Sequence, residues 1–314
     1  MSSSRIVFMG TPDFAVTILD KLIQENHNIV GVVTAPDKPA GRGRKINQSA
    51  VKKYAIEKQL NTLQPTNLKS EDFISELKGL NADLFIVVAF RMLPKVIWQL
   101  PKQGTFNLHA SLLPDYRGAA PINWAIINGE TKTGVSTFFI DEKIDTGEII
   151  LQKEINIDES ETVGQLHDKL MHLGADLVNE TVQRIESGTI QTTKQPEKEE
   201  KIAPKLNTTN CKINWNQPVK DIYNHIRGLN PYPSAWSTLN NINQELKTKI
   251  YDVTKSDIKS SLPPGRLITT KKELRVCTAD YDLIINSLKV EGKKLMSPQN
   301  LFNGFKIEEG ANFL

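Results

Sequence analysis

The chain is short of cysteines and has no long hydrophobic run. Cys211 and Cys277 are the two cysteines among its 314 residues, and they do not have the spacing of a metal-binding motif. Both lie in apolar, strand-like surroundings, so we expect two reduced core residues rather than a disulfide framework. No apolar stretch approaches the ~20 residues of a transmembrane helix, so no membrane association is expected.

A targeting signal is also missing from the N-terminal residues. Met1–Arg5 lead directly into the apolar run Ile6–Met9, which is too short for the core of a signal peptide. The amphipathic, arginine-rich pattern of a transit segment is absent as well. Together with the reduced cysteines, these features favour a cytoplasmic protein.

Length and charge distribution indicate two domains with different partners. At 314 residues the chain is long for one hydrophobic core, while its 39% hydrophobic and 24% charged residues are ordinary for a globular protein. From residue 204 onward, 16 Lys and Arg face 10 Asp and Glu, whereas residues 1–203 have 23 against 26. The basic C-terminal part suggests contact with a polyanion, although a solvated surface rich in lysine would give the same balance.

Strand and helix patterns alternate through the first part of the chain. Thr11 is expected to cap a first helix that has Pro12 at its first position. Such alternation predicts an α/β domain with a mainly parallel sheet covered by helices on both faces. We expect strands at Arg5–Met9, Asn28–Thr34, Leu84–Phe90, Thr105–His109, Gly134–Ile140 and Glu148–Ile155, and further helices at Pro94–Gln99, Pro121–Asn128 and Thr162–Ser187.

The pattern changes after the polar, proline-containing stretch Lys194–Lys205, which is the best linker candidate. One short helix is predicted at Val219–Arg227, and the rest predicts a small all-β domain, plausibly a barrel. We therefore predict a first domain at 1–190, a linker at 191–206 and a barrel domain at 207–314. The short apolar segments of this barrel are Leu267–Thr270, Leu274–Thr278, Leu283–Leu288 and Phe305–Ile307.

The turn Gly10–Phe14 joins the first predicted strand to the first helix. It does not have the three-glycine dinucleotide fingerprint, which disfavours a dehydrogenase. Taken alone, the turn is best explained as the capped start of a helix, but in an open α/β sheet it faces the crevice where ligands bind.

A glycine- and proline-containing loop, Asp37–Lys45, follows the second predicted strand. Arg42, Arg44 and Lys45 lie close together in it, and this density of cations suits contact with phosphate groups. A surface loop without a ligand would have the same composition, so the sequence leaves both interpretations open.

The strand Thr105–His109 has the side chains most suited to catalysis. Asn107 and His109 alternate along it, so both point to the same side. A neutral imidazole can accept a proton, and an amide can donate to a developing oxyanion. The turn Ser111–Gly118 follows directly. These are side-chain types that acyl transfer to an amine would need, although a pair of satisfied polar residues at a strand end would show the same pattern.

Two carboxylates compete for a role beside the imidazole. Asp141 and Asp145 both follow the strand Gly134–Ile140, and an Asp before a glycine is also a common turn former. A carboxylate within hydrogen-bond reach of His109 would fix its tautomer and favour its protonated form.

On these motifs the chain resembles the methionyl-tRNA formyltransferase family over essentially its whole length. The segment Asn107–Pro121, together with Asp145–Gly147, is the signature shared by the wider folate-dependent formyltransferases. Further similar segments are Phe8–Ala15, Pro39–Arg44, Ala203–Leu206, Ile226–Pro233 and Gly292–Lys294.

The resemblance implies a Rossmann-like catalytic domain followed by a small C-terminal OB-like β-barrel that binds tRNA. The implied reaction carries the formyl group of 10-formyltetrahydrofolate to the α-amino group of methionyl initiator tRNA, with a monomeric enzyme and no metal. It implies catalytic roles for Asn107, His109 and Asp145, folate contacts for Ser111, Leu112, Leu113 and Pro114, and a tRNA contact for Arg42. Because Arg44 and Lys45 lie beside Arg42 in the cationic loop, we expect them to contact the tRNA as well.

Two departures and several alternatives accompany the resemblance. Phe90–Pro94 replaces the usual tyrosine-glycine start of that segment, so the rim of the folate pocket is expected to differ, and Asn214 stands where aspartate is common. Related enzymes formylate a nucleotide-sugar amine or glycinamide ribonucleotide, or hydrolyse formyl folate, and these reactions would not need Arg42–Lys45 with a basic second domain. A non-enzymatic RNA-binding protein would not need Asn107, His109 and Asp145.

Overall fold

The computed structural model describes residues 3–40, 45–196 and 201–314, and the chain forms two compact units. The first comprises Met1–Gly118, Thr133–Ile155 and His167–Ile202, and the second comprises Ala119–Lys132, Asn156–Leu166 and Ala203–Leu314. The chain thus passes between the units several times. The boundaries at 190 and 206 remain a prediction.

The secondary structure of both units consists of short strands and helices. The strands are β1 (Ile6–Gly10), β2 (Ile29–Val33), β3 (Lys38–Ala40), β4 (Lys45–Asn47), β5 (Thr62–Leu63), β6 (Leu84–Val88), β7 (Thr105–His109), β8 (Arg117–Gly118), β9 (Lys132–Phe139), β10 (Ile149–Asn156), β11 (Ile202–Ala203), β12 (Ala235–Asn240), β13 (Glu245–Lys259), β14 (Leu267–Thr269), β15 (Leu274–Val276), β16 (Tyr281–Val290) and β17 (Asn312–Phe313). The helices are α1 (Asp13–Gln24), α2 (Ala50–Glu57), α3 (Glu71–Gly79), α4 (Lys95–Trp98), α5 (Pro121–Ile127), α6 (Val163–Glu186), α7 (Val219–Arg227) and α8 (Pro298–Phe302).

A seven-stranded sheet in the order β10-β9-β7-β6-β1-β2-β5 organises the first unit. β1 pairs in parallel with β2 and β6, β6 pairs in parallel with β7, and β9 joins β7 in the antiparallel direction. The central strands β1 and β6 are buried along their whole length, with Phe8 and Phe85 among the largest buried side chains. This confirms the mainly parallel, Rossmann-like α/β sheet.

The first helix begins one residue later than the sequence predicts. Pro12 is the N-cap residue, with φ −83° and ψ 176°, and the helix itself starts at Asp13. An extended Pro12 cannot be the first helical residue, and the side chain of Thr11 makes no capping hydrogen bond to this helix. Phe14, Ile18, Leu19 and Leu22 are buried on its inner face, as expected.

A six-stranded antiparallel sheet in the order β14-β15-β16-β13-β12-β17 forms most of the second unit. A bridge between Arg266 and Asn312 brings the two edge strands together, so the sheet is a nearly closed barrel. Inside it, the rings of Trp215 and Phe313 stack with their centroids 5.4 Å apart. Cys211 and Cys277 are both free and buried, as expected.

One predicted strand of the barrel is wrong. Residues 305–307 form no regular strand; Phe305 and Ile307 instead pack as partly buried side chains against the barrel core. Without a partner strand, these residues contribute buried apolar side chains to the core but no ladder of hydrogen bonds.

Within the described ranges, no helix is long and apolar enough to cross a bilayer.

Candidate active site

The side chains of Asn107 and His109 lie on the same face of β7, at the carboxyl end of the parallel sheet. Asn107 is paired with Val87 of β6, and His109 faces Ser136 of β9. His109 is buried, with 6% of its surface exposed, whereas Asn107 is half-buried. Leu108 points the other way and packs closely against Gly174 of α6. The strand therefore packs against α6 through Leu108 and carries Asn107 and His109 on its opposite face.

The Asn107 side chain is available to a ligand. Within the described residues it makes no hydrogen bond, although Asn107 is half-buried beside well-bonded neighbours. An amide that keeps both N–H groups unpaired at a sheet edge can donate to an oxygen that enters the site.

A backbone carbonyl fixes the ring of His109. Nε2 lies 2.8 Å from the carbonyl oxygen of Tyr116, which can only accept, so Nε2 carries a proton. Tyr116 has a φ of 61°, in the left-handed region, which lets the turn after β7 aim this carbonyl back at the ring. Nδ1 is consequently the ring nitrogen that can gain or lose a proton during a reaction.

Asp145 faces that second nitrogen. Its Oδ2 lies 3.8 Å from Nδ1 of His109 and accepts a hydrogen bond of 3.0 Å from the backbone N–H of Gly118. The distance to the ring is that of an ion pair rather than of a hydrogen bond. Asp145 is therefore outside hydrogen-bond reach of the ring, and the carbonyl of Tyr116 rather than a carboxylate fixes the tautomer of His109.

The competing carboxylate, Asp141, serves its own loop. Its Oδ1 accepts hydrogen bonds from the backbone N–H of Lys143, at 3.0 Å, and from the hydroxyl of Thr146, at 2.8 Å. Asp141 is exposed, whereas Asp145 is half-buried with 16% of its side chain exposed. Of the two, Asp145 is the one that lies beside the imidazole.

Two residues outside the sequence motifs, Ser136 and Gln152, hold the turn Ser111–Pro114. The hydroxyl of Ser136 donates to the carbonyl of Ser111 at 2.6 Å and accepts from the N–H of Leu113 at 3.1 Å. The amide of Gln152 donates to the carbonyl of Leu113 at 2.9 Å and to the Ser136 hydroxyl at 2.8 Å. Both lie on strands with no motif around them, so nothing in the sequence pointed to them.

The turn itself has an irregular backbone. The peptide bond between Leu113 and Pro114 is cis, and the Ser111 hydroxyl donates to the carbonyl of Asp115 at 2.6 Å. The side chain of Leu112 packs against Gly134 of β9, where a Cβ atom would lie 2.6 Å from it. Side chains and backbone thus hold this turn directly after His109.

The turn Gly10–Phe14 lies at the same edge of the sheet. Gly10 is paired with Val88, the last residue of β6, and a Cβ atom at Gly10 would lie 2.6 Å from the Cβ of Ala15. Glycine is needed here because α1 begins so close to the strand. The carboxyl ends of β1, β6 and β7 therefore meet at one edge, where open α/β sheets bind ligands.

The cationic loop after β2 is only partly described. Arg42 and Arg44 lie outside the described residues, and the backbone of Lys45 begins β4, which pairs with β3. The described base of the loop is anchored by Asp37. Its carboxylate accepts hydrogen bonds from Gln64 at 2.8 Å and Lys52 at 2.6 Å, and these lower its pKa.

The unusual segment Phe90–Pro94 borders an open pocket of about 730 Å³ that is lined by residues 66–69 and 91–96. The Arg91 guanidinium donates to the carbonyl of Thr66 at 3.1 Å and to that of Pro65. Its burial lowers the pKa of Arg91. Arg91 therefore ties this segment to the neighbouring loop, where glycine would leave the loop unattached.

Comparisons with known proteins agree with this geometry. Residues 4–182 match the formyl transferase family, and residues 205–306 match the formyl transferase C-terminal domain. The chain is 57% identical over 313 residues to methionyl-tRNA formyltransferase of Flavobacterium psychrophilum, covering 99% of each chain. It is 52% identical over 311 residues to that of Bacteroides fragilis, covering 97% of this chain and 96% of the relative.

A solved structure supports the fold. The N-formyltransferase from Helicobacter canadensis has a TM-score of 0.65 to this chain, with 22% identity, and the match covers 90% of this chain and 98% of that one. At this identity the likeness establishes the architecture alone.

Proposed function

The chain belongs to the formyl transferase family, among the methionyl-tRNA formyltransferases, and we propose that it formylates the α-amino group of methionyl initiator tRNA with 10-formyltetrahydrofolate as donor. The observation that carries this proposal is the arrangement at the end of β7. Asn107 has an unengaged amide within the described residues, and His109 has one ring nitrogen fixed and the other facing Asp145. The product is N-formylmethionyl-tRNA, which serves translation initiation.

Formyl transfer to an amine makes two demands on the site. The bound folate supplies the formyl carbon, whose bond to the folate nitrogen breaks as its bond to the amine nitrogen forms. Negative charge develops on the formyl oxygen during this exchange, and the attacking amine must lose a proton.

Asn107 meets the first demand. Its amide N–H groups donate to the formyl oxygen as this oxygen becomes negative. The strand holds the amide in place before the substrate arrives, so little reorganisation is needed at the moment of reaction.

His109 meets the second demand through Nδ1. This nitrogen accepts the amine proton, while Nε2 keeps its proton on the Tyr116 carbonyl. The resulting imidazolium is 3.8 Å from the Asp145 carboxylate, which stabilises its charge, and it gives the proton to the folate nitrogen as that nitrogen leaves the formyl carbon. Asp145 acts by its charge rather than by a hydrogen bond to the neutral ring.

The two substrates are assigned to different parts of the chain. The folate contacts are assigned to the turn that directly follows His109 and that Ser136 and Gln152 hold in place. Its residues are Ser111, Leu112, Leu113 and Pro114. Arg42, Arg44 and Lys45 contact the tRNA together with the basic C-terminal barrel, because a polyanion is bound by clustered cations. The enzyme acts as a cytoplasmic monomer without a metal.

A formylation assay with paired acceptors tests this proposal. Methionyl initiator tRNA is compared with a nucleotide-sugar amine and with glycinamide ribonucleotide, each with 10-formyltetrahydrofolate, and a reaction without acceptor measures hydrolysis. We expect formylation of the charged tRNA, weakened steeply by salt. Faster formylation of a small amine, or hydrolysis at the same rate without acceptor, contradicts the proposal.

The same assay tests the site. His109→Ala should lower kcat by about 10²–10⁴-fold, because the general base is lost. Turnover close to that of the wild type would remove His109 from the mechanism. Replacing Arg42, Arg44 and Lys45 together by alanine should raise KM for tRNA and flatten its salt dependence, and KM for the folate should stay unchanged.

A further inference from the structure

Gln195 is a buried polar residue that the proposed mechanism does not use. It lies in the stretch that the sequence assigns to a linker, yet it is 6% exposed. Two residues before it, Thr193 exchanges backbone hydrogen bonds of 2.9 and 2.8 Å with Ile149 of β10. The segment is therefore fixed to the first unit where Gln195 leaves the backbone.

The Gln195 amide holds both ends of the turn that contains Asp145. Nε2 donates to the carbonyl of Asp145 at 3.0 Å and to the carbonyl of Gly147 at 2.7 Å. A side-chain amide has two N–H groups, so both are used on this turn. The carbonyl groups of residues 145 and 147 lie on either side of Thr146, and one side chain joins them.

The backbone of this turn has a conformation that is unfavourable without support from its surroundings. Asp145 has a φ of 56°, in the left-handed region that L-residues seldom adopt. At Gly147 a Cβ atom would lie 1.6 Å from the carbonyl oxygen of Phe139, so the backbone runs directly against β9. Such a backbone persists when surrounding groups determine it, and Gln195 supplies two of the bonds that do so.

The oxygen of the same amide reaches the other side of Asp145. Oε1 of Gln195 accepts hydrogen bonds from Arg117, at 3.1 Å from Nε and 2.7 Å from Nη2. Arg117 precedes Gly118, whose N–H donates to the Asp145 carboxylate. Gln195 is thus bonded to the backbone of Asp145 and to Arg117, which directly precedes the N–H group that binds the Asp145 carboxylate.

We propose that Gln195 is a positioning residue, which sets the distance between the Asp145 carboxylate and Nδ1 of His109 through its bonds to the 145–147 turn and to Arg117. It does not touch the reacting atoms. The inference rests on the proposed function, because positioning matters where the carboxylate supports the imidazolium.

Two substitutions separate this role from a role in folding. Gln195→Glu keeps an acceptor for Arg117 but removes both N–H donors from the turn, and Gln195→Ala removes everything. We expect kcat to fall about 10- to 100-fold in both, because a shift on the order of 1 Å in a catalytic group costs this much, while KM for both substrates changes little. The control is Thr181→Val, which removes a buried hydroxyl bonded to Thr137 in the same unit. It should lower the melting temperature without lowering kcat.

A double-mutant cycle with Asp145→Asn tests whether Gln195 acts through Asp145. If it does, Gln195→Glu should lower kcat much less in the Asp145→Asn background than in the wild type, because residues that act as a unit are not additive. The proposal is overturned if Gln195→Glu lowers kcat equally in both backgrounds. It is also overturned if Thr181→Val, at the same melting temperature as Gln195→Glu, loses as much kcat.

A measurement without catalysis keeps this inference separate from the proposed function. The backbone amide of Gly118, bonded to the Asp145 carboxylate, should exchange its hydrogen faster in Gln195→Glu than in the wild type, and Thr181→Val should leave it unchanged. Unchanged exchange at Gly118 in Gln195→Glu overturns the inference even if the enzyme formylates tRNA. A wild type that does not formylate tRNA, with the exchange altered as expected, overturns the proposed function alone.

Discussion

His109 and Asp145 are close enough to interact by charge but not by a hydrogen bond, since Nδ1 and Oδ2 are 3.8 Å apart. The Tyr116 carbonyl orients the ring instead, through Nε2 at 2.8 Å. In the proposed mechanism, Asp145 consequently contributes most when the ring is an imidazolium, which is the state that follows proton removal from the amine. In that mechanism the pair stabilises the transition state more than the resting enzyme.

Asp145→Asn should therefore lower kcat by about 10²–10⁴-fold, because it removes the charge that supports the imidazolium. An asparagine oxygen can still accept from the N–H of Gly118, so the fold should persist. The matched control is Asp141→Asn, which changes the other carboxylate of the same loop. Steady-state kinetics should show near-normal kcat for this control. A larger loss at Asp141 than at Asp145 would reverse the assignment.

Asn107 is expected to contribute to kcat and little to stability. Its amide makes no hydrogen bond within the described residues, so Asn107→Ala should leave the melting temperature almost unchanged while it lowers kcat about 10²–10³-fold. Asn107→Asp keeps the shape but replaces the donor by an acceptor, and it should be at least as damaging. If either variant unfolds before it loses turnover, the amide is structural.

The clamp on the Ser111–Pro114 turn should affect the folate rather than the amine. Ser136→Ala removes the hydroxyl that joins Ser111 and Leu113, and this should cost about 1–3 kcal/mol of stability and raise KM for the folate. Thr137→Val is the control, because Thr137 is the next residue of β9 and its hydroxyl bonds Thr181 instead. It should lose stability without a rise in KM for the folate. If Ser136→Ala and Thr137→Val have equal KM values for the folate, this turn has no part in folate binding.

The strand that carries the site could be predicted from sequence because its signals are local. Alternation of Asn107, Leu108 and His109, followed at once by a turn, fixes both the direction of the side chains and their place at a strand end. The predicted limits Thr105–His109 are those of β7. Local patterns therefore account for the position of the amide and the imidazole.

The residues that hold the site could not be predicted in this way. Ser136 bonds a residue 25 positions away, and Gln195 bonds residues 48 and 78 positions away. An isolated Ser or Gln has no pattern that shows such a partner, because the chain must fold before the pair exists. Strand β13 also has no clear signal in the sequence. Its residues Glu245–Lys259 carry many charges on the exposed face, and the apolar alternation is weak.

The stability of the barrel unit should depend on pH through His225 in α7. The Nε2 atom of this histidine is buried and has no hydrogen-bond partner among the described residues. Burial lowers its pKa below the ordinary 6.5, and the backbone of Cys211 opposes this shift. The unfolded chain therefore binds more protons than the folded chain as pH falls below 6.5, so the stabilisation present above that pH is progressively lost.

Denaturant unfolding between pH 5 and 8 should show this loss, with the free energy of unfolding falling on the acid side of 6.5 in the wild type. His225→Gln cannot be protonated, so its free energy of unfolding should fall less steeply there. Ile226→Val, at the next position of α7, is the control, since it should lower stability by about 0.5–1.5 kcal/mol equally at every pH. If the free energy of unfolding of His225→Gln falls as steeply below pH 6.5 as that of the wild type, the pH dependence arises from other groups, because this variant no longer has the imidazole of His225.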